Sequence, residues 1–187
     1  MLNIPTAEDV FCKEELERYC DSIVWVTDEG EPVSGIRGRD VAATGDLTEV
    51  LARYGAGELT DGQPTIALEE VSDLHITADG ALLKRIQRAR KNELAPFLAK
   101  QPKTTASVYS SMQCMLKGVC SQCLQWQVDP KTGERTKAVF ACSWQDEPVD
   151  LVDIDGLNER LQQNRLQERL SNLWLSYLFE QHTIDRV

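Results

Sequence analysis

The sequence predicts an α/β protein: a partial parallel sheet with flanking helices, then a small β-rich lobe and a carboxy-terminal amphipathic helix. Three observations support this prediction. A β-branched run at 22–27 has the unbroken apolar character of a strand buried on both faces. Two further strand-like runs, at 123–128 and 136–142, flank a turn sequence. Leucines recur at helical spacing from 157 to 179.

Composition narrows the class of protein. The 187 residues carry a net charge of −10, which argues against a nucleic-acid surface because phosphate binding requires the opposite sign. No run approaches the ~18 apolar residues of a membrane-spanning helix, and the amino terminus lacks the pattern of a signal peptide. We therefore expect a cytoplasmic chain with no membrane association. In that compartment six cysteines indicate metal ligands rather than disulfides.

The first predicted element is a helix over residues 7–19, with Thr6 as its N-cap. Cys12 and Cys20 lie on this helix or at its end, far in sequence from the other four cysteines. We interpret both as small buried hydrophobic side chains.

The buried strand at 22–27 is followed by Asp28 and Glu29, at the strand end where open α/β sheets bind ligands. The pattern nevertheless favours a polar turn there. Asp46 is the predicted N-cap of a helix over 47–54, which glycines terminate.

A second strand is predicted at 74–77, followed by the turn Asp79–Gly80 and a helix that starts near Ala81 and ends at Pro102 at the latest. A strand, a glycine turn and a helix in succession can present free backbone amides to a phosphate, so Asp79 and Gly80 are candidate nucleotide contacts. We interpret the basic side of this helix as solvated, with an acidic partner or a nucleotide phosphate as the alternative. That side comprises Lys84, Arg85, Arg88, Arg90 and Lys91.

The strongest chemical signal is a C-x5-C-x2-C-x18-C array formed by Cys114, Cys120, Cys123 and Cys142. Three thiols on one short loop can surround one side of an inorganic cluster, and Gly118 allows that loop to turn tightly. The predicted hairpin returns the chain so that the fourth cysteine lies beside the third. Three aromatic side chains could shield one side of the site: Trp126, Phe140 and Trp144.

Two other interpretations of the array remain open. Four cysteines can bind a structural zinc ion, although zinc ribbons usually bring two C-x2-C pairs and this chain has one. The cysteines can also be inert or joined as disulfides. The spacing differs by one residue in the first gap from the plant-type [2Fe–2S] pattern, C-x4-C-x2-C…C, and we favour the cluster.

Several segments resemble the electron-transfer subunits of dihydroorotate dehydrogenases. These belong to the ferredoxin-reductase family, with the small subunits of ferredoxin–NADP oxidoreductases and sulfide dehydrogenases. Residues 27–30 and 35–41 resemble its Thr-Asp-Asp-Gly-Ser…Gly-(Val)-Thr-Asp segment, and 74–80 its strand and Gly-Pro turn. Residues 111–123 and 140–144 resemble its carboxy-terminal [2Fe–2S] domain.

The resemblance covers about residues 7–150 and implies that the four cysteines of the array ligate a [2Fe–2S] cluster. The family's Gly-Pro turn is replaced here by Asp79–Gly80. The family also begins with a flavin-binding barrel and the first half of a nucleotide domain. FAD and NAD(P) are therefore expected on missing domains or on a flavoprotein partner.

These inferences give three predicted regions and two hypotheses for function. The regions are half of a ferredoxin-reductase-type NAD(P) domain at 1–103, a cluster-binding domain at 104–150 and a helical tail at 151–187. The first hypothesis is an electron-transfer module of an NAD(P)H-linked oxidoreductase, inactive toward NADH or NADPH without its flavoprotein. The second is a zinc-stabilised, non-catalytic interaction module. The leucine-rich helix at 157–179 is interpreted as core, with subunit docking as the alternative.

Overall fold

A computed structural model of the chain describes residues 1–60, 66–98, 101–108, 114, 116–144, 146–163 and 165–181. The chain divides into two compact units. The first comprises Met1–Ile76 and Arg85–Thr105, and the second comprises Thr77–Lys84 and Ala106–Val187. The boundaries predicted at residues 103 and 150 stay predictions.

The first unit contains a three-stranded parallel sheet. Its strands are β1 (Leu2–Ile4), β2 (Val24–Thr27) and β3 (Val41–Thr44), in the order β1-β2-β3. The central strand β2 pairs in parallel with β1 on one side and with β3 on the other. All four residues of β2 are buried, as expected for a strand covered on both faces. The predicted parallel strand at 22–27 is confirmed.

Two α-helices flank these strands in sequence. They are α1 (Lys13–Tyr19) and α2 (Leu47–Gly55). The Asp46 carboxylate caps α2 by accepting a hydrogen bond from the backbone N–H of Thr48 at 2.9 Å. Both the predicted cap and the predicted helix at 47–54 are confirmed.

The helix predicted over 7–19 is wrong in its first half. Residues Ala7–Asp9 form a single 3-10 turn, closed by the Asp9 carboxylate, which accepts from the backbone N–H and the hydroxyl of Thr6. Cys12 then adopts a left-handed conformation with φ 50°, and α1 begins only after it. The short turn satisfies the local amides early, and the chain has to restart the helix.

Of the two cysteines outside the array, one is not buried as predicted. Cys12 is exposed, so its interpretation as a buried hydrophobic side chain is wrong. Cys20 is half-buried and packs against the cluster formed by Ile23, Trp25 and Val33.

Strands β4 (Asp73–Ala78) and β5 (Lys103–Val108) cross the division between the units, as does helix α3 (Gly80–Ala89). With β8 (Glu147–Pro148), the two strands form a sheet of order β4-β5-β8. The strand predicted at 74–77 and the start of the following helix are confirmed.

Helix α3 ends at Ala89, well before Pro102. In a continuous helix the backbone N–H of Asn92 would donate to the Arg88 carbonyl. Here the Asn92 side chain donates to that carbonyl instead, at 2.8 Å. The chain then folds back, because the Leu94 N–H donates to the Ala89 carbonyl at 2.8 Å. Leu94 is completely buried against Ala89 and Leu98, so a compact turn replaces the continuous helix predicted there.

The second unit contains the predicted hairpin. Its strands are β6 (Leu124–Val128) and β7 (Arg135–Phe140), which pair antiparallel. Asp129 shapes the turn by accepting from the backbone N–H of Lys131 at 2.7 Å, and Gly133 adopts φ +74°.

The single helix predicted from 157 to 179 is two helices, α4 (Ile154–Gln162) and α5 (Arg165–Glu180). Asp153 caps α4 through the backbone N–H of Gly156 at 2.9 Å. Helix α4 buries Ile154 and Leu157, whereas none of the described side chains of α5 is buried. The interpretation of the leucine stripe as core is therefore wrong for α5. Within the described chain, no helix has both the length and the apolar character to cross a bilayer.

Candidate metal centre

The hairpin brings the last two cysteines of the array together. Strand pairing sets Leu124 opposite Phe140, and one step further the Ala141 N–H donates to the Cys123 carbonyl at 3.0 Å. The thiols of Cys123 and Cys142 are hydrogen-bonding neighbours, and both residues are buried. The prediction that the hairpin returns Cys142 beside Cys123 is confirmed.

The first two cysteines form a second pair. The backbone N–H groups of Cys120 and then Val119 donate toward the Cys114 sulfur, and these hydrogen bonds lower the pKa of Cys114 to about 6. A thiol held by amide donors is deprotonated easily, and the thiolate is the form that binds metals. Residues 109–113 and 115, which precede and follow Cys114, lie outside the described residues.

Electrostatic interactions connect the Cys114–Cys120 pair with the Cys123–Cys142 pair. Burial is the main cause that raises the pKa of Cys123, and the neighbouring Cys142 and Cys120 sulfurs raise it further. A positive metal centre would offset the burial and the repulsion between sulfurs, because it stabilises several adjacent thiolates at once.

The donor set suits a soft metal centre, since it consists of thiols alone. Among the described residues, however, no three His, Cys, Asp or Glu side chains are grouped as the ligands of one ion. The four thiols thus lie as two linked pairs, and the joint ligand set Cys114, Cys120, Cys123 and Cys142 stays a prediction.

The loop that carries Cys114, Cys120 and Cys123 has strained backbone conformations among its described residues. Gly118 has φ +67°, as its predicted role in a tight turn requires. Leu116 and Ser121 also have positive φ, 67° and 59°, where a side chain is unfavourable. Such conformations persist only where other contacts hold them.

One of those contacts comes from α4, and no sequence pattern predicted it. The Arg160 guanidinium donates from Nη1 to the Ser121 carbonyl at 3.3 Å and from Nη2 to the Gln122 carbonyl. Ser121 and Gln122 are the two residues that separate Cys120 from Cys123. Arg160 therefore fixes the turn that sets the distance between two candidate ligands.

The predicted aromatic shield is only partly formed. Phe140 packs against the buried cluster that contains Cys123 and Cys142. Trp126 and Trp144 are half-exposed, at 42% and 46% of their surface. Cations cover their rings instead: Lys137 Nζ lies 3.9 Å from the Trp144 ring centroid, and Arg135 lies 5.8 Å from that of Trp126.

A buried polar row continues from Cys123 along the same face of β6. Gln125 and Gln127 follow at alternate positions, and Gln127 Nε2 donates to Glu147 Oε1 at 2.8 Å. Burial raises the pKa of Glu147, which the Gln127 hydrogen bond and the charge of Lys137 only partly offset. Both amide atoms of Gln125 lack a hydrogen-bond partner in the described part of the protein. Sequence reasoning missed this row.

The residues of the predicted nucleotide turn contact other parts of the protein. Asp79 caps α3, because its carboxylate accepts from the Leu82 N–H at 2.8 Å. Any Cβ added at Gly80 would overlap the side chain of Asn158 from α4. One of the amides and the space that a phosphate would need are thus taken in this conformation, and nucleotide contact at Asp79 and Gly80 stays a prediction.

Other polar side chains on the strands and on α3 form internal contacts. His75 Nδ1 lies 2.9 Å from Thr105 Oγ1, and Asp28 accepts from Asn3 at 2.8 Å. On the basic side of α3, Lys84 pairs with Asp155 and Arg85 pairs with the cap residue Asp46.

Comparison with known proteins shows a partial similarity to a longer protein. The chain is 47% identical to an uncharacterized protein of Rickettsia prowazekii (strain Madrid E) over 66 residues. That match covers 35% of this chain and 9% of the Rickettsia protein, which is therefore a far longer polypeptide. No protein-family model matches the chain.

Proposed function

We propose that this chain is an electron-transfer module whose four-cysteine array holds a [2Fe–2S] cluster and relays single electrons between a flavoprotein and a second redox centre. The observation that carries the proposal is the hairpin return, which puts Cys142 beside Cys123 at the end of a loop that already carries Cys114 and Cys120. A bound [2Fe–2S] cluster supplies one-electron chemistry that protein side chains lack.

The residues of the chain would contribute ligation, orientation and exclusion of water. The buried thiols of Cys123 and Cys142 would hold the inner side of the centre. Cys114 would ligate readily because the amides around its sulfur favour the thiolate. Phe140 would keep water from the buried pair, and Arg160 would orient the turn between Cys120 and Cys123.

Metal analysis and spectroscopy test this proposal. The chain is purified without oxygen from iron-replete cells, and its iron, acid-labile sulfide and zinc are quantified. We expect about two irons and about two sulfides per chain, with visible charge-transfer absorption. Electron paramagnetic resonance after chemical reduction should show one unpaired electron per cluster.

A colourless preparation with one zinc ion per chain would contradict the cluster. It would support instead the zinc-stabilised interaction module, for which an all-thiol donor set is equally suitable. A metal-free preparation with titratable thiols would contradict both proposals.

A second prediction concerns Arg160. In the variant Arg160→Met, the carbonyls of Ser121 and Gln122 lose their donor, and the turn between two ligands becomes free to relax. We expect a chelator to remove iron from this variant roughly 10-fold faster than from the wild type, as for other residues that orient metal ligands.

The matched control for this experiment is Arg169→Met, which removes an exposed arginine from α5. Its rate of iron loss should equal that of the wild type. Equal rates for the Arg160 and Arg169 variants would show that the arginine clamp does not support the site.

A further inference from the structure

Helix α5 presents an apolar surface that the described residues of its unit leave exposed. Six large apolar side chains on its 16 residues expose between 42% and 69% of their surface. Scattered exposed leucines are normal, but contiguous ones mark an interaction surface. The six are Leu166, Leu170, Leu173, Trp174, Leu175 and Tyr177, and all except Leu175 lie toward one side of the helix.

Four of these side chains follow the spacing of a helix–helix seam. Leu166, Leu170, Leu173 and Tyr177 are separated by four, three and four residues, which is the alternation of a and d positions in a heptad repeat. They form one line along the helix, and Trp174 extends it on one side. The Trp174 ring stacks on that of Tyr177 with centroids 5.5 Å apart. This stacking orients both large side chains before any partner binds.

The charges of α5 are arranged so that two such helices can meet. Two arginines and two glutamates cancel, so the helix is neutral within a chain of net charge −10. Three of the four lie off the line of apolar side chains, whereas Glu180 falls on its continuation, at the last residue of the helix. Polar side chains flank the line in a depression lined by Arg165, Glu168, Arg169, Asn172 and Ser176 together with the seam residue Leu173.

We propose that α5 pairs with the α5 helix of a second copy of this chain, with the heptad seam as a two-fold interface. A second copy offers the same uncharged line and the same spacing, so its side chains can pack into the gaps of the first. The helix is neutral overall, so two acidic chains can approach there without bringing further net charge to the contact.

The surface area that the two helices can bury limits the affinity of this dimer. Aromatic side chains bury ~150–250 Å² each and leucines less, so the four half-exposed seam residues together with Trp174 would bury roughly 500 Å² per copy. The pair would therefore bury about 1,000 Å², the lower limit of a specific interface. We expect a reversible dimer with a dissociation constant on the order of micromolar rather than a permanent one. This inference depends on α5 alone and not on which metal the array binds.

Sedimentation equilibrium of the full chain, from about 1 μM to about 200 μM, tests the proposal. The wild type should pass from monomer to dimer within this range. Leu170→Glu puts a carboxylate on the seam in each copy and should weaken dimerisation at least 10-fold. Leu170 is already exposed in the single chain, so its replacement should leave the fold intact.

The matched control is Leu175→Glu, which makes the same chemical change on the side of α5 away from the seam. This variant should dimerise as the wild type does. A wild type that stays monomeric over the whole range would overturn the proposal and indicate that another protein, or another part of a longer polypeptide, covers α5. Equal loss of dimer in both variants would overturn the assignment of the seam.

Discussion

Replacing Cys123 by serine is expected to reduce the iron content of the purified chain to background. Cys123 is almost completely buried beside Cys142, so the lost sulfur cannot be replaced from solvent. Serine keeps the size of the side chain but its hydroxyl is a poor ligand for iron, which leaves an incomplete donor set. Cys120→Ser should behave in the same way. Iron and sulfide assays, together with the visible spectrum, measure the effect.

The controls for this experiment are the two cysteines outside the array. Cys12→Ala removes an exposed thiol and Cys20→Ala removes a half-buried one, both from the first unit. Iron content should be unchanged in both variants. Loss of iron from either would mean that the ligand set is misassigned, and circular dichroism of all variants separates loss of metal from loss of fold.

The elements that the sequence predicted correctly are those whose signals are local. Helix α2 begins at Asp46 because a carboxylate there satisfies the first free amides, and that preference is visible in the sequence. The β6–β7 hairpin forms because Asp129 and Gly133 shape its turn. The position of Cys142 followed from the hairpin, so half of the candidate site could be derived from strand pairing alone.

The errors arose where a local contact overrides helical periodicity. Apolar spacing continued from α3 toward Pro102, but the Asn92 side chain caps the Arg88 carbonyl and Leu94 turns back onto Ala89. At the amino terminus, the turn closed by Asp9 ended the first helix early. Periodicity reports which side chains prefer to be buried, and it does not report which polar group closes a helix.

The part of the candidate site that could not be predicted depends on contacts between distant residues. Arg160 reaches the carbonyls of Ser121 and Gln122, which lie 39 and 38 residues earlier in the chain. Asn158 fills the space beside Gly80. An arginine and an asparagine on a polar helix have no pattern that distinguishes them from solvated residues, so only the packing of α4 reveals their roles.

Asp40→Ala is expected to destabilise the first unit by about 2–3 kcal/mol, because it leaves the buried Ile23 N–H without its acceptor and the Arg37 guanidinium without its carboxylate. Arg37 holds the Asp40 carboxylate through two hydrogen bonds, Nε to Oδ2 at 2.7 Å and Nη2 to Oδ1 at 2.8 Å. The backbone N–H of Ile23 also donates to Oδ1, at 2.9 Å. The same arginine donates to the Cys20 carbonyl at 3.1 Å, so the pair joins the end of α1 to the entry of β2. Urea denaturation followed by the fluorescence of the buried Trp25 measures the change in the free energy of unfolding.

The effect of this substitution should depend on pH in a defined direction. Burial alone would raise the pKa of Asp40, but the hydrogen bonds from the Arg37 side chain and the Ile23 backbone outweigh it, so the pKa lies below its usual value. The ionised carboxylate therefore stabilises the fold fully above the unfolded-state pKa of about 3.9, and this contribution is lost as the pH falls through the lower folded-state pKa. The difference between the wild type and Asp40→Ala should shrink accordingly in acid. Asp21→Ala removes an exposed carboxylate from the same unit and should change stability by less than about 0.5 kcal/mol. A comparable loss in both variants, or a difference that grows as the pH falls, would show that the Arg37–Asp40 pair does not hold this unit together.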